Sequence, residues 1–223
     1  MATQIQDRLA EVEERIGRAV ARAGRRREDI TLVTVTKVFP ASVILGAYEA
    51  GLREFGENYV QEFEGKAPDV RSLDGARFHF IGHLQSNKAR RAAELFDVVQ
   101  TVDTLKLARR LDQHGRDLEV FVEVKLSAEE TKRGADPAEV PAIVAAIRGS
   151  ENLHLAGLMT MPPWATAPES ARPYFVRLRE LAESHSVRGL SMGMSNDFEV
   201  AIEEGATHIR VGSALFGPRP KKR

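Results

Sequence analysis

Three kinds of residue in this chain could do chemistry together if the fold brings them close. Lys37 directly follows the β-branched, apolar run Thr31-Leu-Val-Thr-Val-Thr36. A lysine that closes a buried strand sits where desolvation disfavours its ammonium, which lowers the pKa and frees the amine to attack an aldehyde. Position alone also fits a surface lysine whose head snorkels out to solvent. Arg210 lies between Ile209 and Val211 in a second apolar run. A guanidinium inside a strand is costly unless it is paired or binds something, and it can only donate hydrogen bonds. A ring nitrogen facing it must therefore accept and stay unprotonated. The competing reading is a buried ion pair with Glu123 or another carboxylate. Gly193-Met-Ser-Asn-Asp197 and Gly212-Ser-Ala-Leu-Phe-Gly217 are small-residue turns. Backbone N–H groups at a helix start, with the Ser195 hydroxyl, suit an anion. Helix capping by Ser195 or Asn196 also explains the first turn, and Asp197 there would repel a phosphate unless it points away. Neither turn is a Walker A loop or a dinucleotide fingerprint.

Other polar residues are harder to assign. Asn58 and Tyr59, in Phe55-Gly-Glu-Asn-Tyr-Val-Gln61, sit where a strand turns into a helix. His79 and His83 flank Phe80-Ile-Gly82 without a nearby carboxylate to complete a metal site, so no metal is expected. Glu123 and Lys125 alternate on one strand and could pair inside it. The basic residues 218–223 could touch nucleic acid, though a solvated tail explains them as well.

The elements that must position these residues alternate along the chain. Ile5, Leu9, Val12, Ile16 and Val20 share one face of an N-terminal helix that Gly24 stops. Strands are then expected at 30–36, 52–56, 77–82, 96–102, 119–125, 153–161, 190–194 and 207–215. The helices between them fall at 41–48, 59–65, 87–95, 104–113, 137–147, 169–184 and 196–204. Strands alternating with helices mean parallel pairing with helical crossovers, and eight of them favour one closed (β/α)8 TIM barrel with an extra N-terminal helix (residues 1–25). Chemistry in such a barrel sits at the C-terminal ends of the strands, and the loops after strands seven and eight often hold a phosphate. The composition is that of a folded globular protein rather than a disordered one: 223 residues, 43% hydrophobic, with 32 basic and 32 acidic residues and no cysteine. Zero net charge argues against general nucleic-acid binding. The lack of cysteine removes disulfides, Cys-based metal sites and thiol nucleophiles. No stretch approaches the roughly 20 apolar residues of a membrane span, and no signal peptide is seen, so a soluble cytoplasmic protein is expected.

Taken together, Thr34-Val-Thr-Lys37, Phe55-Gly-Glu-Asn-Tyr-Val-Gln-Glu62, His79-Phe-Ile-Gly-His-Leu-Gln-Ser-Asn-Lys88, Gly157-Leu-Met159, Met192-Gly-Met-Ser-Asn-Asp197 and Ile209-Arg-Val-Gly-Ser-Ala-Leu-Phe-Gly217 resemble the YggS/PROSC family of pyridoxal-phosphate homeostasis proteins. The resemblance runs from about residue 5 to 217. It implies a fold-type III barrel similar to the N-terminal domain of alanine racemase, with pyridoxal 5'-phosphate (PLP) as cofactor. Lys37 falls on the family's Schiff-base lysine, Ser195 with Gly212 and Ser213 on its phosphate clamp, and Arg210 on the arginine facing the pyridine nitrogen. Asn58 falls on a residue lining the cofactor, and Met192 and Met194 on positions near ring and phosphate. Lys132 matches a family lysine on a loop near the mouth. His83 stands where relatives often carry proline, and Phe39 where many carry a second lysine, so neither inherits a role.

The implied function is PLP (vitamin B6) homeostasis, with the cofactor held on Lys37 and no dedicated catalytic reaction. Apo forms of PLP-dependent enzymes are the recipients such a carrier would serve. The alternative is a PLP-dependent amino-acid racemase or lyase with Tyr59, Lys132 or His83 as acid or base. A sugar-phosphate barrel enzyme without PLP is a third reading, which lacks paired carboxylates or metal ligands. Residues 1–223 are read as one binding domain. The chain runs only six residues past Gly217, so no second domain is expected to close the site, and a monomer is favoured.

Overall fold

The computed structural model describes residues 2–114, 116–127, 129 and 133–218. Eight parallel strands close into a barrel in chain order. They are β1 (Thr31–Val35), β2 (Glu54–Glu57), β3 (Arg77–Phe80), β4 (Val98–Val102), β5 (Leu118–Glu123), β6 (Leu153–Met159), β7 (Gly189–Met194) and β8 (His208–Val211). The ring is shut by β1 against β8, with Val33 opposite Arg210. The helices are α1 (Ala2–Arg22), α2 (Ala41–Glu49), α3 (Val60–Val70), α4 (Ala89–Leu95), α5 (Leu105–Asp112), α6 (Val140–Arg148), α7 (Arg172–Ser184), α8 (Phe198–Glu203) and α9 (Ser213–Phe216).

The pattern of burial explains the architecture. Each strand turns alternate side chains outward into one large apolar layer beneath the helices, where Phe55, Phe63, Phe78 and Phe96 are fully buried. The other side chains fill the lumen. Phe121 of β5 meets His208 of β8 edge-on at 5.0 Å, and His79 of β3 lies 6.4 Å from the same ring. These strands are not neighbours, so the contacts cross the barrel interior. Val98, Phe121 and Met159 form a small apolar plug there. The face of α1 carrying Ile5, Val12, Ile16 and Val20 is buried as its spacing requires. That helix packs against α8 and α9 and is tied to α8 by Arg15–Glu199 at 2.9 Å and Arg22–Glu203 at 2.6 Å.

Several boundaries differ from the sequence expectation. Helix α3 does not stop at Gly65 but continues through Pro68 to Val70, because Phe63, Ala67 and Val70 share one buried stripe and outweigh both helix breakers. Strand β8 ends at Val211 rather than Leu215; Gly212 turns the chain, and Ser213–Phe216 is a turn of helix that buries Leu215. Strand β2 starts at Glu54 rather than residue 52, since Gly51 (φ 96°) still belongs to the preceding turn. Strand β5 ends at Glu123. Lys125 instead donates its backbone N–H to Ala135 O (2.9 Å), where the following loop folds back on the strand. Among the described residues Glu123 and Lys125 form no ion pair. No helix among the described residues is long and apolar enough to cross a membrane.

Candidate functional site

The strand ends open into a cavity of about 250 Å³ lined by Lys37, Asn58, Met194, Ser195, Arg210, Gly212 and Ser213. Seven of the eight sequence-derived positions thus meet in one place. Met192 does not. It is fully buried in the layer between barrel and helices. Met192 and Met194 have the same parity, but the register of β7 against β8 slips between Ser191 and Met194. Gly193, at φ 91° and with Ala201 only 2.6 Å from where a Cβ would be, permits that slip. The slip turns Met192 outward and Met194 inward.

Lys37 is half-buried and lies between two residues held by buried charges. Lys66, from the middle of α3, puts its ammonium 2.9 Å from Glu57 Oε1 and 2.6 Å from Glu62 Oε1, and donates to Thr36 O at 3.2 Å. Thr36 Oγ1 donates to Glu57 Oε1 (2.7 Å), and the Val38 N–H donates to Glu62 Oε1 (2.6 Å). Val38 has φ 64°, a left-handed conformation that is strained for a β-branched residue by about 1–3 kcal/mol and persists only where the surroundings enforce it. The Glu57–Lys66–Glu62 cluster supplies that enforcement on both sides of Lys37. Burial raises the Glu57 carboxyl pKa, with Lys66 working against the rise. The sequence reading missed this cluster. Its signal was present, because Lys66 interrupts the apolar stripe of Phe63, Ala67 and Val70, and Glu62 and Lys66 are one helical turn apart.

Arg210 projects into the lumen and is only 4% exposed. Its Nη1 donates to Ser191 Oγ at 2.6 Å and its Nη2 to Thr160 O at 3.0 Å. Burial lowers its pKa to about 10, opposed by the charges of Glu123 and Asp197. The ion pair with Glu123 weighed from the sequence is not made at contact distance among the described residues, so no carboxylate occupies the guanidinium's donors. Glu123, 2% exposed, is itself pushed up to about 7 by burial and by Asp103, with Arg210 and Arg133 pulling the other way.

The two turns at the far side converge on one point. Ser195 Oγ accepts from the backbone N–H groups of Gly212 and Ala214, both at 3.3 Å. The bonds draw the two turns together at the cavity, where a hydroxyl beside backbone N–H groups is the chemistry that suits an anion. Neither Ser195 nor Asn196 caps α8, the helix that follows their own turn. The N-cap of α8 is Asp197, and Asn196 Nδ2 donates instead to Ala165 O at 3.0 Å. Asp197 also lines the cavity, and one of its oxygens is engaged by the Met194 N–H (2.6 Å).

Asn58 Oδ1 is buried, lines the cavity and has no hydrogen-bond partner, so it calls for a donor from a ligand. Gly82 makes this placement possible, since a Cβ there would lie 2.1 Å from Asn58 O. An amine, a donor-only guanidinium, an anion cradle and an unmet acceptor match the aldehyde, ring nitrogen, phosphate and hydroxyl of a pyridoxal phosphate. Phe39 lines the same cavity and leans on Phe216 at 5.4 Å. Trp164, 75% exposed, stands at its edge. Tyr59 and His83 lie in shallower hollows beside it, with His83 Nδ1 3.9 Å from Asp103. Lys132 and the basic tail from residue 219 onward fall outside the described residues. Among those described, no cluster of His, Asp or Glu is arranged to hold a metal.

Comparison with known proteins gives the family. Residues 9–220 match the alanine racemase N-terminal domain family. The chain is 42% identical over 221 residues to the pyridoxal phosphate homeostasis protein of Pseudomonas aeruginosa, covering 96% of both chains. It is 42% identical to the protein of the same name from Escherichia coli K12, covering 95% of both. Among solved structures, PipY of Synechococcus elongatus, determined with PLP bound, superposes with TM-score 0.82 at 37% identity over 96% of this chain and all of that one. Alanine racemase of Clostridium difficile shares the fold at 15% identity, with TM-score 0.73.

Proposed function

Since the chain belongs to the pyridoxal phosphate homeostasis protein family, with an alanine racemase N-terminal domain, we propose that its cavity holds PLP as a carrier. It acts in vitamin B6 homeostasis with PLP as its cofactor. Lys37 supplies the amine that condenses with the aldehyde, releasing water. Ser195 and the Gly212–Ser213 turn take the phosphate, Asn58 accepts from the ring hydroxyl, and Arg210 donates to the ring nitrogen. Met194 packs alongside. The observation that carries this reading is that Lys37, Arg210 and the Ser195–Gly212–Ala214 convergence face one cavity.

The same geometry favours holding the cofactor over turning substrate with it. Bound PLP supplies an electrophilic aldehyde and a ring able to accept electrons. Arg210 has no proton to release at neutral pH, so the ring nitrogen stays an unprotonated acceptor and a weak electron sink. Tyr59 and His83, the acid/base candidates within the described residues, do not line the cavity that Lys37 lines. We infer further that the protein works as a cytoplasmic monomer and passes PLP to apo PLP-dependent enzymes; the exposed rim at Trp164 supports access by a large partner.

The test is reduction of the PLP-loaded protein with borohydride followed by peptide mass mapping. The cofactor mass on the Lys37 peptide is the expected result; its absence there refutes the assignment. The racemase or lyase reading is checked by incubating the loaded protein with L-amino acids. Lys37-dependent enantiomer exchange or cleavage above that of free PLP would displace the carrier reading.

A further inference from the structure

A chain of side chains runs down the lumen from Arg210 to the opposite end of the barrel. Arg210 Nη1 donates to Ser191 Oγ (2.6 Å), and Ser191 Oγ donates to Gln100 Oε1 (2.7 Å). Gln100 Nε2 lies 2.9 Å from His79 Nδ1, and His79 Nε2 lies 2.5 Å from Glu54 Oε2. Four strands contribute one residue each, β7, β4, β3 and β2, and Ser191, Gln100 and His79 are essentially inaccessible. Glu54 opens β2 whereas Asn58, which lines the cavity, follows its end, so the chain's far terminus lies at the end of the strand away from the cavity.

The chemistry of its two ends fixes the direction of every hydrogen bond. The Glu54 carboxylate can only accept, so His79 must carry its proton on Nε2. A neutral His79 then presents a bare Nδ1, and Gln100 must turn its NH2 toward it. The Gln100 oxygen thereby faces Ser191, which must donate to it. The Ser191 oxygen is left to accept, and Arg210 can only donate. Adding a proton to His79 Nδ1 would demand a flipped Gln100, two donors on Ser191 Oγ and a serine proton with nowhere to go.

We propose that Glu54, His79, Gln100 and Ser191 form a one-way hydrogen-bond chain that positions Arg210 for its ligand, with Glu54 setting the direction from the far end of the barrel. This rests on the reading that Arg210 faces the ring nitrogen of PLP. Thr160 O fixes the other end of the guanidinium, so the chain and that carbonyl together decide where the remaining donors point. The groups around it keep the ends in the required states. Burial favours a neutral Glu54, but the hydrogen bond to His79 and the charge of Arg77 (3.9 Å) prevail and hold its carboxyl below the ordinary range. Arg77 is shared with Glu119 of β5 at 2.8 Å. His208 is pushed down to about 3, chiefly by burial, and stays neutral beside His79. Glu123 and Asp197 face Arg210 electrostatically at the other end.

The experiment uses the full chain with two readouts. In the ligand-free protein, imidazole ¹⁵N shifts report the His79 tautomer. In the PLP-loaded protein, the absorbance maximum across pH and the PLP dissociation rate report the ring nitrogen's partner. The parent should show His79 protonated on Nε2. Gln100→Glu offers His79 Nδ1 no donor and should move a proton onto it; Glu54→Gln, able to donate or accept, should mix the tautomers. Both should shift the absorbance in the same sense as Arg210→Lys. Ser191→Ala keeps the volume nearly unchanged, removes one bond to a charged donor and should speed dissociation roughly tenfold. The proposal is overturned by a parent His79 protonated on Nδ1. It is equally overturned if the Glu54, Gln100 and Ser191 variants keep the parental spectrum and dissociation rate while Arg210→Lys changes both. An Arg210→Lys protein that itself absorbs and dissociates like the parent refutes the site reading on which the proposal rests.

Discussion

Replacing Glu123 by Gln should stabilise the protein, and only above a defined pH. Glu123 is 2% exposed at the end of β5, and burial lifts its pKa from 4.5 to about 7. The folded state therefore keeps a proton that the unfolded chain releases between those values. The folded protein loses stability as pH rises through this window, and above about 7 it carries the whole cost of an ionised, buried carboxylate. A shift of this size corresponds to about 3 kcal/mol at 1.36 kcal/mol per pKa unit. Glutamine keeps the shape without the charge, and the attraction lost to Arg210 is already contained in that net shift. The two proteins should be equally stable near pH 4.5, and Glu123→Gln should be the more stable by up to about 3 kcal/mol at pH 8. For a chain of this length that is a rise in melting temperature of about 6–12 °C. Thermal or urea unfolding of the ligand-free parent and variant across pH 4.5–8 measures the difference, and other titrating groups cancel because both proteins contain them. A difference that stays constant across that range, or a variant less stable than the parent at pH 8, refutes the assignment of a costly buried carboxylate.

Four further outcomes follow from the same contacts. Lys66→Met leaves Glu57 and Glu62 without their cation and should cost about 3–5 kcal/mol in urea unfolding; if it folds, it should also slow borohydride-trappable PLP attachment to Lys37. Ser195→Ala removes the oxygen on which the Gly212 and Ala214 N–H groups converge and should weaken PLP binding about tenfold by equilibrium dialysis, at a cost of about 1 kcal/mol in urea unfolding from the N–H groups it leaves without a partner. Lys37→Ala should give no trapped adduct yet still retain PLP through the remaining contacts, and an adduct on another lysine would reveal a second site. His208, whose pKa falls from 6.5 to about 3, contributes stability that is complete above 6.5 and is lost as pH falls toward 3, so His208→Gln should flatten the acid limb of the stability profile.

The residues that showed through in the sequence are those whose local pattern carries their position. The run before Lys37 is a strand in any buried setting, so a lysine at its end must reach the barrel mouth. Arg210 was conspicuous because charge inside an apolar strand demands a reason. The alternation of strand and helix gave the barrel itself. What stayed hidden depends on contacts between distant segments. Met192 and Met194 share a parity that an unbroken strand would respect, and only the register slip at Gly193 separates them. The Arg210–Glu123 pair seemed natural from charge alone, but Arg210 spends its donors on Ser191 and Thr160, 19 and 50 residues away. The end of β5 was likewise hidden, because the loop reaching Ala135 takes up the backbone of Glu123 and Lys125, a contact that no spacing within β5 reveals.

The two reactive groups are held by separate devices on opposite faces of the sheet, which has a mechanical consequence. Lys37 is fixed from outside the barrel by the Glu57–Lys66–Glu62 cluster, which grips the residues on either side of it. Arg210 is fixed from inside by Ser191 and Thr160. The strain at Val38 is confined to the outer device, and the buried hydrogen-bond chain to the inner one. On the function proposed above, loosening the lysine should favour hydrolysis of its bond to the aldehyde, water restoring the free amine, without disturbing the ring nitrogen's partner. A carrier gains from that separation, because a cofactor can be freed at its aldehyde while the rest of the cavity still cradles it. A double-mutant cycle between Lys66→Met and Ser191→Ala reads this directly. Near-additive effects on PLP dissociation are expected, and a coupling well above about 0.5 kcal/mol would show that the two devices act as one.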